Sequence, residues 1–150
     1  MGLQTGQTAP EFSLQDQTGS VVRLADYKGK KAVVLYFYPK DDTPGCTTEA
    51  CTFRDSFVDF SDAGAEVLGV SGDSPASHKQ FAAKHRLPFR LLSDEDDEAR
   101  KAYGVSSTLG LLPGRVTFVI DKQGVVRHVF SSQFRPKKHV EEALEILKQL

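Results

Sequence analysis

The run Ala32-Val33-Val34-Leu35-Tyr36-Phe37-Tyr38 is apolar throughout and rich in β-branched and aromatic residues. That is the pattern of a strand buried on both faces, and Pro39 ends it. Glu66-Val67-Leu68-Gly69-Val70-Ser71 reads as a second buried strand and Phe89-Arg90-Leu91-Leu92 as a short third. Phe12-Ser13-Leu14 and Val21-Val22-Arg23-Leu24 alternate in polarity around Asp16-Gln17-Thr18-Gly19, a hairpin at the start of the chain. Ala25 to Gly29 then makes a short turn. After Pro39, the Pro44-Gly45 pair marks a turn, Thr43 or Asp42 offers a cap, and apolar positions at Phe53, Phe57, Val58 and Phe60 predict one helix reaching Ala63-Gly64. A second helix spans Pro75 to His85, with Ser74 as cap, Pro75 at its first position and Phe81 and Ala82 facing inward. The acidic run Ser93-Asp94-Glu95-Asp96-Asp97-Glu98 suits a first helical turn better than a metal site, and that helix ends near Tyr103-Gly104. Arg115–Asp121 and Val125–Phe130 flank Lys122-Gln123-Gly124 as a hairpin. Pro136 to Leu150 is an amphipathic helix with Val140, Leu144, Ile146 and Leu147 inward and Glu141, Glu142, Glu145 and Lys148 outward. Strands alternating with helices predict an α/β three-layer sandwich with a central mixed sheet and an N-terminal hairpin.

Composition narrows the classes. The 150 residues suit one compact domain over 1–150, and 39% hydrophobic with 26% charged residues is ordinary for a soluble protein. A net charge of −1 gives no general attraction for nucleic acid or an anionic membrane. No apolar run approaches the roughly 18 residues of a membrane span, and the N-terminus lacks the basic and apolar regions of a signal peptide. Met1-Gly2 opens like a myristoylation signal, but Gly6 stands where Ser or Thr is required. Glycine-rich dinucleotide and phosphate-binding fingerprints are absent, so no cofactor is expected.

Both cysteines of the chain fall in Pro39-Lys40-Asp41-Asp42-Thr43-Pro44-Gly45-Cys46-Thr47-Thr48-Glu49-Ala50-Cys51. Cys46 lies in the first turn of a helix that follows a central strand, where unpaired N–H groups and the helix dipole favour an anion. A thiolate is such an anion, and it is the nucleophilic form of cysteine. Cys51, five residues on, sits roughly 8.6 Å away on nearly the opposite helix face, beyond the about 7 Å that a disulfide tolerates. A bridge therefore requires the first turns to unwind, which suits a transient disulfide better than a structural one.

Pro39-x-x-x-Thr43-x-x-Cys46 resembles the active-site signature of the peroxiredoxins, and Lys40 through Thr47 with Cys51 resembles the peroxiredoxin Q, or bacterioferritin comigratory protein, subgroup. Glu66–Ser71, Leu91–Glu95 and Pro113–Asp121 extend the similarity in order and spacing across nearly the whole chain. The resemblance implies a thioredoxin-like fold and a thiol-dependent peroxidase acting on hydrogen peroxide and organic hydroperoxides. It makes Cys46 the peroxidatic and Cys51 the resolving cysteine, with thioredoxin or a similar dithiol as reductant. Arg115 would hold the thiolate and polarise the peroxide, and Thr43 would bond the thiolate or the peroxide. Pro39, Pro44 and Gly45 would shape the loop. A monomer is implied, in a bacterial-type cytoplasm or, where a transit peptide has been removed, a chloroplast.

Three other readings compete with this one. Metal binding lacks ligands at the right spacing, since zinc and iron–sulfur sites want four ligands, and His78, His85, His128 and His139 are expected to be scattered on surface helices and a hairpin. A general disulfide oxidoreductase would use Cys-x-x-Cys, whereas four residues intervene here. A redox-switched interaction module or holdase could use the Cys46–Cys51 disulfide without turnover, but would have no need of Thr43 or Arg115.

Overall fold

The structure is a computed structural model that describes residues 3–105, 107–108, 112–132 and 135–150. Met1 and Gly2, on which the myristoylation reading rests, lie outside the described residues. Nine strands and five α-helices follow in the order β1 (Ser13–Gln15), β2 (Val21–Arg23), β3 (Ala32–Phe37), α1 (Pro44–Asp55), α2 (Phe57–Asp62), β4 (Ala65–Ser71), α3 (Pro75–His85), β5 (Arg90–Ser93), α4 (Glu98–Ala102), β6 (Ser107–Thr108), β7 (Leu112–Pro113), β8 (Val116–Ile120), β9 (Val126–Ser131) and α5 (Pro136–Leu147) among the described residues.

Seven of these strands form one mixed sheet in the order β2-β1-β5-β4-β3-β8-β9. The apolar run of β3 takes the central place that its composition demands, parallel to β4 and antiparallel to β8. The early hairpin, β1 with β2, extends the sheet beyond β5. Successive side chains of a strand point to opposite faces, and β3 shows both faces filled. Val34, Tyr36 and Tyr38 enter a core with Phe53, Phe60, Phe81, Leu91 and Val140. Val33, Leu35 and Phe37 enter a second core with Phe12, Leu68, Tyr103 and Phe118. Helices α1, α2, α3 and α5 supply the first core, and α4 with the N-terminal segment supplies the second. The architecture is the thioredoxin-like three-layer arrangement expected.

Two helices differ from expectation. The helix after Pro39 breaks at Ser56, whose ψ of 11° leaves the helical region, so α1 and α2 are separate. Phe53 and Phe60 both reach the core, while Val58 is left 69% exposed. Most of the acidic run precedes its helix, and only Glu98 enters the first turn. Asp97 is left-handed with φ 57°, and α4 starts only at Glu98. Asp94 folds back instead, its carboxylate accepting from the amides of Ala99 (3.0 Å) and Arg100 (2.9 Å). Capping chemistry places these residues, but one carboxylate does the work for the run.

Candidate active site

Cys46 is the third residue of α1, after Pro44 and Gly45. The amide of Thr47 makes the first intrahelical bond, to the Thr43 carbonyl at 2.8 Å, which leaves the N–H groups of Gly45 and Cys46 outside the helical ladder. The thiol is buried, 1% exposed. Arg115, the residue just before β8 and itself buried, donates from Nη2 to Cys46 Sγ at 3.4 Å. Gly45 permits this approach, because a Cβ there would lie 2.9 Å from Arg115 Nη2.

Other expected residues are gathered at the same end of β3. Thr43 caps α1 through its backbone only; its hydroxyl donates to the Lys40 carbonyl at 2.9 Å. Pro39 is half-buried, whereas Pro44 is exposed at the first helical position, where it shapes the helix start and leaves the burial of the thiol to other residues. Cys51 is half-buried further along the same unbroken helix, and both thiols are free.

Several residues of the site escaped the sequence reading. Glu49, 0% exposed, accepts from Arg115 Nη1 through Oε1 at 2.6 Å, and its Oε2 has no hydrogen-bond partner among the described residues. Burial pushes the Glu49 carboxyl up to about 8, with Arg115 pulling the other way. Burial works against the Arg115 charge, but Glu49 and the Cys46 sulfur outweigh it and hold the guanidinium above its ordinary range. Behind Glu49, His139 Nδ1 lies 3.7 Å from Oε2. Its Nε2 faces the Ser132 carbonyl at 2.8 Å and its Nδ1 faces Thr117 Oγ at 2.8 Å. A carbonyl only accepts, so Nε2 carries the proton and Nδ1 receives the hydroxyl. Burial, with Arg115 nearby, drives His139 down to about 4 and keeps it neutral.

His78 and His139 thus correct the expectation of surface histidines, since both are fully buried. His78 Nδ1 meets Asp41 Oδ2 at 2.7 Å and Nε2 meets the Leu92 carbonyl at 3.0 Å. Tyr38 donates to the other Asp41 oxygen at 2.5 Å, and Asp73 accepts from the Asp41 amide at 2.8 Å. Asp41, Asp73 and His78 are the one group of three potential metal ligands among the described residues. These hydrogen bonds account for their proximity: they pin the Pro39–Thr43 loop to α3 and β5. The spacing of Glu49, three residues after Cys46 on one helix face, was the available clue to its place.

A cysteine in a helix first turn, contacted by a buried arginine from beside an antiparallel neighbour strand, is a sulfur placed where both helix amides and a cation can meet a reacting partner. The AhpC/TSA family model matches residues 5–129. The chain belongs to the AhpC/TSA family. Within that family, a chloroplastic peroxiredoxin Q of Populus jackii is 56% identical over 146 residues, covering 97% of this chain and 68% of the poplar protein. The peroxidoxin BcpB of Mycobacterium tuberculosis superposes with a TM-score of 0.91 at 40% identity, covering 99% of this chain and 98% of that one. A Xanthomonas campestris bacterioferritin comigratory protein, in a structure concerned with its alkyl peroxide reduction activity, gives 0.85 at 35% identity over 92% of this chain and 90% of its own. As an AhpC/TSA protein with peroxiredoxin Q relatives, the chain is a thiol-dependent peroxidase.

Proposed function

We propose that the chain reduces hydrogen peroxide and organic hydroperoxides at Cys46 and is recycled through Cys51 by thioredoxin or a similar dithiol. The observation that carries this is the 3.4 Å contact between Arg115 Nη2 and Cys46 Sγ at the start of α1. The Cys46 thiolate attacks the terminal oxygen of ROOH; the O–O bond breaks, sulfur is oxidised to the sulfenic acid, and RO⁻ takes a proton and leaves as ROH. Cys51 attacks that sulfur, forming the disulfide and releasing water. An external dithiol then returns both thiols and leaves as its own disulfide.

An ordinary thiol is already a few per cent thiolate at neutral pH, so even complete ionisation raises the reactive fraction only about thirtyfold, and a more acidic thiol is a weaker nucleophile. Ionisation alone is therefore a small part of the rate. Arg115 and the free amides of Gly45 and Cys46 must stabilise charge on the stretched O–O bond. Thr43 already donates to Lys40, so toward substrate its oxygen acts as an acceptor, which fits the O–H of a hydroperoxide better than a thiolate. Pro39 and Pro44 set the loop, and Gly45 leaves room for the guanidinium. The chain works as a single domain and a monomer, in a chloroplast or a bacterial-type cytoplasm. The plant relative is chloroplastic by name, and no helix among the described residues is long and apolar enough to cross a membrane.

The deciding experiment is peroxide consumption with thioredoxin, its reductase and NADPH. Wild type consumes peroxide over many cycles, Cys46→Ser consumes none, and Cys51→Ser supports one equivalent and then stops. Reduction of insulin disulfides without peroxide consumption would overturn the proposal.

A further inference from the structure

We infer that Arg100 is a positioning residue for peroxide reduction: its guanidinium joins the backbone just before Pro39 to the backbone just before Arg115 and so sets how closely Arg115 meets Cys46. This rests on the reading of Cys46 and Arg115 given above. Arg100 lies in α4, far from the cysteines in sequence, and only 8% of it is exposed. Its Nη1 donates to the Gly114 carbonyl at 3.1 Å and its Nη2 to the Tyr38 carbonyl at 3.2 Å. The guanidinium carbon lies 5.7 Å above the Phe37 ring.

These two carbonyls occupy a particular place in the sheet. The antiparallel register of β3 with β8 runs from Val33↔Ile120 to Phe37↔Val116 and ends there. Tyr38 and Gly114 are just past that end, where one strand departs toward the Cys46 loop and the other carries Arg115. The Arg100 fork spans the gap as one further rung made by a side chain. Its own backbone is fixed in turn, since Asp94 accepts from the Arg100 amide at 2.9 Å and the Asp94 amide is bonded to the Ser71 carbonyl at 2.8 Å. On the far side of β8, the Arg115 carbonyl accepts from the Ser132 amide at 3.3 Å. Arg115 is thus held from both neighbouring directions, and Arg100 is the anchor on the side of the thiol loop.

The chemistry of Arg100 favours geometry over stability as its role. A guanidinium without a carboxylate in contact is costly to bury, and an apolar side chain of similar volume commonly serves stability as well or better. Burial lowers the Arg100 pKa, opposed by Asp97 and Asp94 at longer range. What arginine alone offers is a planar fork with several N–H groups at fixed separation, able to hold two carbonyls at once. Lysine can reach one.

The test is a double-mutant cycle on the second-order rate of Cys46 oxidation by hydrogen peroxide, with thermal melting of every variant. Arg100→Met lowers the rate about tenfold to a hundredfold at a temperature where it remains folded, the scale expected when a reacting group is displaced by about 1 Å. Arg100→Lys recovers part of that loss. In an Arg115→Met background, Arg100→Met costs no more than about threefold further, because the group it positions is gone. A rate equal to wild type in Arg100→Met, or the same fold-loss in both backgrounds, overturns the inference. Should Arg100→Met not fold, Arg100→Gln, which keeps donors for one carbonyl, enters the same cycle with the same criteria. Peroxide consumption that survives Cys46→Ser overturns the site itself and is distinct from failure of Arg100's part in it.

Discussion

Gly45 shows how much one hydrogen atom decides in this site. Its backbone is helical, so alanine at this position meets no conformational obstacle and gains up to about 1 kcal/mol of helix propensity. Yet the added Cβ would press on Arg115 Nη2 at 2.9 Å, and the end of the arginine side chain is the group that must yield. Gly45→Ala should therefore melt at or above the wild-type temperature while reducing peroxide at least about tenfold more slowly. An alanine variant as fast as wild type would mean that the Arg115 contact is dispensable. Arg115→Met carries the complementary expectation: its loss of rate, in single turnover, exceeds the loss of thiolate read from absorbance at 240 nm. Equal losses would leave Arg115 no role beyond ionising the sulfur. At this scale the sequence announced the residues with distinctive local surroundings, Cys46, Thr43 and Gly45, and the resemblance added Arg115. It was silent on Glu49 and Arg100 and placed His78 and His139 wrongly at the surface, because nothing in a helical pattern distinguishes a polar residue facing water from one facing another buried polar group.

Helix α1 carries Cys46, Glu49 and Cys51 together, so any unwinding that joins the two sulfurs also draws Glu49 out of its buried place. The proton balance of that step has a definite sign. Burial raises the Glu49 carboxyl to about 8 in the wound helix, and in water it returns to about 4.3. Its contribution to the wound state is fully present below about 4.3 and is lost as pH rises through about 8, changing by about 1.4 kcal/mol per unit between them. Reduced protein should accordingly show α1 amide protection, corrected for intrinsic exchange and referenced to α3, that falls from pH 5 to pH 8. Glu49→Gln should flatten that slope. Protection that rises with pH would sink the assignment. The break at Ser56 was not legible in the same segment, since Phe53, Phe57 and Phe60 keep a helical spacing across it. The core accepts Phe53 from one helix and Phe60 from the next, and tertiary packing, not local propensity, chose two helices over one.

Across the whole molecule, the sheet was the most legible feature, because strands buried on both faces leave continuous apolar runs and short hairpins leave their turns in plain view. The polar framework was the least legible, for it joins residues as far apart as Tyr38 and Arg100 or Thr117 and His139. On the proposed mechanism, oxidation would reach beyond the loop, because α1 is tied to the main core. Ala50 and Phe53 of α1 are buried in the main core, where Phe53 stacks on Tyr36 at 4.5 Å and meets Phe60 at 5.4 Å and Phe89 at 6.3 Å. A disulfide between Cys46 and Cys51 closes so short a loop that chain entropy returns only about 2 kcal/mol. Unwinding α1 far enough to form it gives up helical hydrogen bonds and loosens packing whose complete loss at one buried phenylalanine costs about 3–5 kcal/mol. The second quantity exceeds the first, so the cross-linked protein should be the less stable one. Oxidation with one equivalent of peroxide should lower the melting temperature by several degrees, the shift should reverse with dithiothreitol, and Cys51→Ser, which forms no bridge, should not show it. A melting temperature that rises when the disulfide forms would mean that α1 closes the bridge without leaving the core.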